Sequence, residues 1–249
     1  MKRLNRARKY RRRRRILYTV ILLITAGVIA LGFNFKRFQN EYDWLTLKPE
    51  QKLNVPLENQ LPDLPNGCEV TSLSMLLKYY DINVSKLELS SNIKHVSSFV
   101  GNNYRGNPHV GFVGYMSIKN AGWCVYNEPL YNVARKYTNR IRNYTGNNFV
   151  RVLKLVSEGH PVVIITTLKF DRVNDMQTWS TKQGKVHVTP SSHACVITGY
   201  DKKKGIVYVN DPYGVKNKKV SLKKIEASYN QQGKQALYIE KKNKKASRY

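Results

Sequence analysis

Three residue types that together carry out acyl transfer stand in chain order at Cys68, His193 and Asp211. A thiolate attacks a carbonyl carbon, an imidazole moves its proton, and a carboxylate fixes the imidazole tautomer. Around the first of them the chain reads VPLENQLPDLPNGCEVTSLSMLLKYYDI, a polar loop that gives way to a helical pattern. Val70, Leu73, Leu76, Leu77 and Tyr80 recur at three to four residues, so one face of that helix is apolar. Pro65, Asn66 and Gly67 are loop and helix-start residues, which places Cys68 in or beside the first turn. Exposed N–H groups and the positive end of the helix dipole there favour thiolate over thiol. The same cysteine also fits the plainer role of a small buried hydrophobe.

The elements that must position the other two are a pair of strands. HACVITGY (193–200) alternates as a strand, DKKKG is a charged turn, and GIVYVND (205–211) returns, the pattern of an antiparallel hairpin. His193 opens the first strand and Asp211 closes the second, so pairing brings the two together. Pro212 ends the second strand because it cannot donate to a ladder. His95 and His109 lie in polar loops, His160 opens an apolar strand, and His187 lacks a hairpin that returns a carboxylate.

With these stretches in view the chain resembles the bacterial C39-like cysteine peptidases, a branch of the papain-like superfamily. The resemblance is carried by VPLENQLPDLPNGCEVTSLSMLLKYY, GNPHVGFVGYM, SSHACVITGYD and VYVNDPYG, in the family's order, and covers roughly residues 53 to 240. It implies Cys68 as nucleophile, His193 as base, Asp211 as orienting carboxylate, and Gln60 as the amide that completes the oxyanion hole. It implies a peptide or protein substrate and no cofactor. Eight positions separate Gln60 from Cys68, against six in the papain pattern, so the 61–65 loop must absorb the extra residues and Asn59 is a competing donor. The exporter-linked members of the family cut leader peptides, but no GxxxxGK[ST] phosphate loop is present, so that role is not expected here.

The first fifteen residues hold ten Lys/Arg and no acid, and the next eighteen, ILYTVILLITAGVIALGF, carry no charge. Eighteen helical residues rise about 27 Å, close to the ~30 Å hydrocarbon core, so a membrane anchor over 16–35 is expected. A signal peptide is the competing reading, but it calls for a shorter apolar region and a small-residue cleavage site. The basic tail 1–15 then stays in the cytoplasm, and 36–52 forms a stalk to an outward-facing domain at 53–240, followed by a basic tail at 241–249.

Subtracting the ten N-terminal charges from the formal +27 leaves +17 on the remainder. No nucleic-acid-binding module accompanies it, so nucleic acid is not an expected partner. A basic exported domain is drawn instead to anionic lipid or wall polymers, with salt-dependent strength.

Helices are expected at 84–93, 129–137, 147–158 and 221–229, and strands at 161–167, 193–200, 206–211 and 236–240. Helices first and a mostly antiparallel sheet afterwards make an α+β fold, the papain-like layout with the cysteine helix packed on the sheet. Cys195, two residues after His193, reads as core lining on the same strand face, and Cys124 as a buried strand residue. A Cys124–Cys195 bridge is the alternative. No C-x-x-C spacing supports a zinc site. Two function classes follow: a hydrolase working through a thioester, and a silent papain-like module that holds a peptide or wall component.

Overall fold

The computed structural model describes residues 2–101, 103–119 and 121–242, leaving aside the side chains of 2–13, 16, 17, 29–31, 33, 34 and 36. It divides into two units, Met1–Thr46 and Leu47–Tyr249. The first is one helix, α1 (Lys2–Thr46), which contains the uncharged run. Its described apolar side chains Ile21, Leu22, Leu23, Ile24 and Val28 are all exposed. Among the described residues no helix is long and apolar enough to cross a membrane. Several members of the run expected to span, Ile16, Leu17, Ile29, Leu31 and Phe33, have side chains outside the described residues.

The expected stalk over 36–52 takes another form. Helix α1 continues to Thr46, Leu47 is buried in the second unit, and β1 (Glu50–Lys52) joins its sheet. Of the basic tail expected at 241–249, only Lys241 and Lys242 fall within the described residues.

The second unit is α+β. Its helices are α2 (Cys68–Tyr79), α3 (Lys86–Asn92), α4 (Asn127–Ala134), α5 (Phe149–Ser157) and α6 (Leu222–Gln231). Short strands β2 (His95–Val96) and β5 (Phe112–Val113) pair in parallel, and β3 (Phe99–Val100) pairs with β4 (Tyr104–Arg105). The main sheet adds β6 (Ile141–Asn143), β7 (Val162–Thr167), β10 (Ser192–Asp201), β11 (Ile206–Asp211), β12 (Val215–Ser221) and β13 (Ala236–Ile239). Their order is β12-β11-β10-β7-β13-β6, antiparallel throughout, with β1 paired to the far end of β10. A separate hairpin, β8 (Gln177–Thr181) and β9 (Gly184–Val188), stands before β10.

β7 reads VVIITT and is buried at every residue, as a central strand covered on both faces must be. α2 is buried from Cys68 through Leu77 and packs across β10, with Leu73, Leu76 and Leu77 fully out of solvent. Each such leucine contributes about 2 kcal/mol by removing apolar surface from water. β10 is long because one of its edges serves two partners: residues 192–197 pair with β7, while 199–201 pair with β1. At the changeover stands Gly199, where an added Cβ would lie 2.3 Å from the Gln51 carbonyl oxygen. Only glycine lets β1 approach that closely. All three cysteines are free and buried, so the alternative of a Cys124–Cys195 bridge is not realised. Cys124 lies in an extended loop segment rather than in the strand expected for it.

Candidate active site

Gly67 closes the loop in front of α2. A Cβ there would stand 2.5 Å from that of Leu64, so the tight turn that delivers Cys68 to the helix start needs glycine. Asn66 fixes the same turn by donating to the Tyr115 and Ile118 carbonyls at 3.1 and 2.7 Å. Cys68, His193 and Gln60 thereby line one cleft of about 360 Å³, whose apolar wall includes Trp123, Leu168, Pro190 and Tyr213.

The electrostatic setting of Cys68 differs from the sequence expectation. Burial first, and then the Glu69 carboxylate, push the Cys68 thiol well above its ordinary value, and only the Ala194 N–H pulls the other way. The thiol donates to Glu69 Oε2 at 3.2 Å. A helix dipole is worth about 0.3–1 kcal/mol at an exposed end, whereas desolvating a charge inside a protein costs several kcal/mol. Burial outweighs the dipole, and the balance favours the protonated thiol. The sequence reading overlooked that β10 and the 113–126 segment cover this helix end.

His193 and Asp211 meet as the hairpin requires. Val196 is opposite Asn210 in the β10–β11 register, and beyond that pair the His193 Nε2 lies 3.0 Å from Asp211 Oδ1, with both side chains buried. A carboxylate only accepts, so Nε2 donates, and in the neutral imidazole Nδ1 keeps its lone pair. Asp211 takes two further bonds, from the Tyr213 N–H at 3.1 Å and the Lys218 ammonium at 2.8 Å. Burial alone would raise the Asp211 carboxyl, but hydrogen bonds from His193 and Lys218 outweigh it and hold the group well below the usual carboxylate range. The imidazole is clamped by rings: Tyr213 stacks on it at 5.4 Å between centroids, and Phe170 meets it edge-on at 5.8 Å. Phe170 is held at φ +53°, a left-handed conformation rare for a bulky residue and a strain the surroundings must impose.

The loop that carries Gln60 is pinned from two sides. Gln60 donates its backbone N–H to the Pro212 carbonyl at 2.7 Å and its side-chain amide to the Pro65 carbonyl at 2.8 Å. One amide hydrogen of Nε2 stays available. The buried ammonium of Lys86 bonds the Asn59 and Gln60 carbonyls at 2.6 and 3.1 Å and the Asp63 carboxylate at 2.8 Å. The extra residues after Gln60 fold into this loop, where the Leu64 N–H returns to the Gln60 carbonyl at 2.9 Å. Asn59, the competing donor, is exposed, caps the Leu61 N–H with its own oxygen at 3.0 Å, and does not line the cleft.

The other histidines are engaged elsewhere: His109 with Glu128, His160 with Tyr80 and the Ile239 carbonyl, His187 with Thr178, and His95 with backbone carbonyls. Among the described residues no group of three His, Cys, Asp or Glu side chains could hold a metal ion. Cys195 lies close enough to Asp211 to feel its charge, as expected of core lining behind the site. Sequence reasoning missed Glu69, Lys86, Tyr213 and Lys218. The one available signal was Glu69 itself, an acid inside a run of otherwise uncharged residues from Cys68 to Leu77.

Comparison with known proteins agrees with this architecture. Residues 52–237 match the model of the Peptidase_C39 like family. The uncharacterized protein YvpB of Bacillus subtilis (strain 168) is 41% identical over 192 residues, covering 76% of this chain and 76% of its own. A Bacillus anthracis protein whose crystal structure bears the name C39-like peptidase is 39% identical, with a TM-score of 0.75 over 79% of this chain and 100% of that one.

Proposed function

The chain belongs to the C39-like peptidase family, and from that premise we propose that it hydrolyses peptide bonds with Cys68 as nucleophile, His193 as base and Asp211 as the orienting carboxylate. The observation that carries this reading is the buried His193–Asp211 bond in a cleft shared with Cys68 and Gln60. His193 Nδ1 takes the thiol proton as sulfur attacks the carbonyl carbon of a bound peptide. The Gln60 amide and the backbone N–H of Cys68 receive the oxyanion. The imidazolium then protonates the leaving amine, and water attacks the thioester with His193 again as base. In the test, peptides from a cell-envelope extract are incubated with the protein and with Cys68→Ala. New cleavage products and an acyl adduct on Cys68 are expected with the wild type only; equal cleavage by both proteins sinks the assignment.

One observation favours a second reading, a silent module that holds a peptide or wall component: the Cys68 thiol is buried and bonded to the Glu69 carboxylate, a setting that favours thiol over thiolate. Such a module binds the same peptides and leaves them uncut and Cys68 unacylated.

The domain is further proposed to be tethered by residues 16–35 with the basic tail inside the cell and the cleft outside. Support comes from the ten basic residues beside an uncharged run and from the exposed apolar side chains along α1. The basic surface of such a domain favours anionic lipid or wall polymers. Protease added to intact, wall-stripped cells should degrade the domain and spare an N-terminal tag; a protected domain, or an exported chain starting near residue 34, overturns the topology.

A further inference from the structure

Glu69 follows the nucleophile directly and is only 1% exposed. Both of its oxygens are engaged: Oε1 accepts from the Val125 N–H at 3.0 Å and Oε2 from the Cys68 thiol at 3.2 Å. Among the described residues no cation pairs with it. The titratable groups that face it are Cys68 on its own helix, Cys124 and Tyr126 on the segment leading into α4, and Tyr213 across the cleft. On the imidazole side the Lys218 ammonium is bonded to Asp211.

Reactive thiolates in proteins are stabilised by positive surroundings. Here the Ala194 N–H bonds the sulfur, but the carboxylate bonded to it is an acid without a counter-ion. Two negative charges a few ångströms apart away from water repel strongly, so a charged Glu69 and a Cys68 thiolate exclude each other. A structural role for Glu69 needs only the Val125 bond. The second bond, to the reacting atom itself, is what that role leaves unexplained.

We propose that Glu69 sets the charge state of the nucleophile: it accepts the thiol's hydrogen bond in the resting site and keeps the sulfur neutral until a substrate carbonyl is in place. The inference rests on the reading of Cys68 as the attacking group. In the step it describes, the S–H bond breaks as the S–C bond forms. The proton goes to His193 Nδ1, a sulfur electron pair goes to the carbonyl carbon, and the carbonyl π pair becomes the oxyanion. Deprotonation accompanies attack instead of preceding it, in contrast to a preformed thiolate–imidazolium pair. A thiol governed in this way is slow toward stray oxidants and alkylating agents, which suits a cysteine working outside the reducing cytoplasm.

The test compares the full-length wild type with Glu69→Gln, which preserves the acceptor for Val125 and removes the charge. Alkylation of Cys68 by iodoacetamide is followed at pH 8 by mass spectrometry of the Cys68 peptide, where burial holds the wild-type carboxyl at about 7 and hence largely ionised. The variant should react about tenfold faster or more, the effect of lowering the thiol by one pH unit. An equal or slower rate overturns the proposal. Should the variant not fold, the wild type decides: an infrared S–H band present at pH 8 and missing from the Cys68→Ala protein is expected, and its absence overturns the proposal equally. Neither readout needs turnover. Full hydrolysis by Cys68→Ala would remove the peptidase assignment, while the alkylation rates still report whether Glu69 governs the thiol.

Discussion

Two buried carboxylates flank the same cleft, and their surroundings drive them apart. Asp211, at the end of β11, collects an imidazole N–H, a backbone N–H and an ammonium, and is held ionised far below the ordinary range. Glu69, at the start of α2, collects one backbone N–H and a thiol, and burial pushes it up to about 7. Both are closed to solvent, but Glu69 is the more deeply desolvated and the poorer in donors, so the two acids have opposite charge preferences. The carboxylate facing the histidine holds the hydrogen of its Nε2. The one facing the cysteine disfavours a negative sulfur.

The comparison breaks most sharply at Asp211. Asp211→Asn keeps the shape but loses the charge, and its amide can turn a donor toward Nε2, which moves the imidazole proton to the nitrogen that must accept from Cys68. The corresponding change in a serine protease costs ~10⁴ in turnover, and a thiol nucleophile tolerates more, so a fall of at least about tenfold in kcat is expected. Full activity across the pH range would reduce Asp211 to a strand end.

The Glu69 side of the comparison is read in stability. Its carboxyl is raised in the folded state, so its contribution is fully present below the ordinary value of 4.5 and is lost as pH climbs through about 7. That interval corresponds to roughly 3 kcal/mol. Asp211 has the opposite sign: its contribution is present above the ordinary value of 3.8 and is lost as pH falls toward the depressed one. Chemical denaturation of the wild type should therefore show stability declining between pH 5 and 8, and Glu69→Gln should flatten that decline. A parallel slope in both proteins would remove Glu69 as its cause.

A smaller effect is expected at the loop both regions share. Lys86→Met leaves the Asn59 and Gln60 carbonyls and the Asp63 carboxylate without their common donor. If Gln60 acts as proposed on the oxyanion, a group present only in the transition state, kcat should fall about tenfold while KM changes little. A loss of melting temperature with unchanged kcat would make Lys86 structural only.

What was legible in the sequence follows the range of the interactions. The His193–Asp211 pair could be read because a short turn, residues 202–205, joins two alternating strands, so the register is local. The four helices expected after α2 appear as α3 to α6, within a few residues of their expected ends. β12 was missed because VKNKKVS reads as a charged run; its lysines mark it as a sheet edge, where charge discourages further pairing. β1 was missed because three residues paired to a strand about 150 positions away leave no local pattern. The charge state of Cys68 was misjudged for the same reason: the local signal is a helix start, and the decisive fact is what long-range packing lays over it.

The clamp around His193 has a spectroscopic consequence. Its Nε2 hydrogen lies between a buried carboxylate and a ring 1% open to solvent, with Tyr213 laid parallel over the imidazole and Phe170 against its edge. Bulk water has little access to that hydrogen, so it should exchange slowly enough to give a resolved proton resonance far downfield, and this single line would follow the site through a titration without any substrate. Trimming Tyr213 to Ala would open one face and broaden the line, turning the ring stack into a measured residence time for one proton.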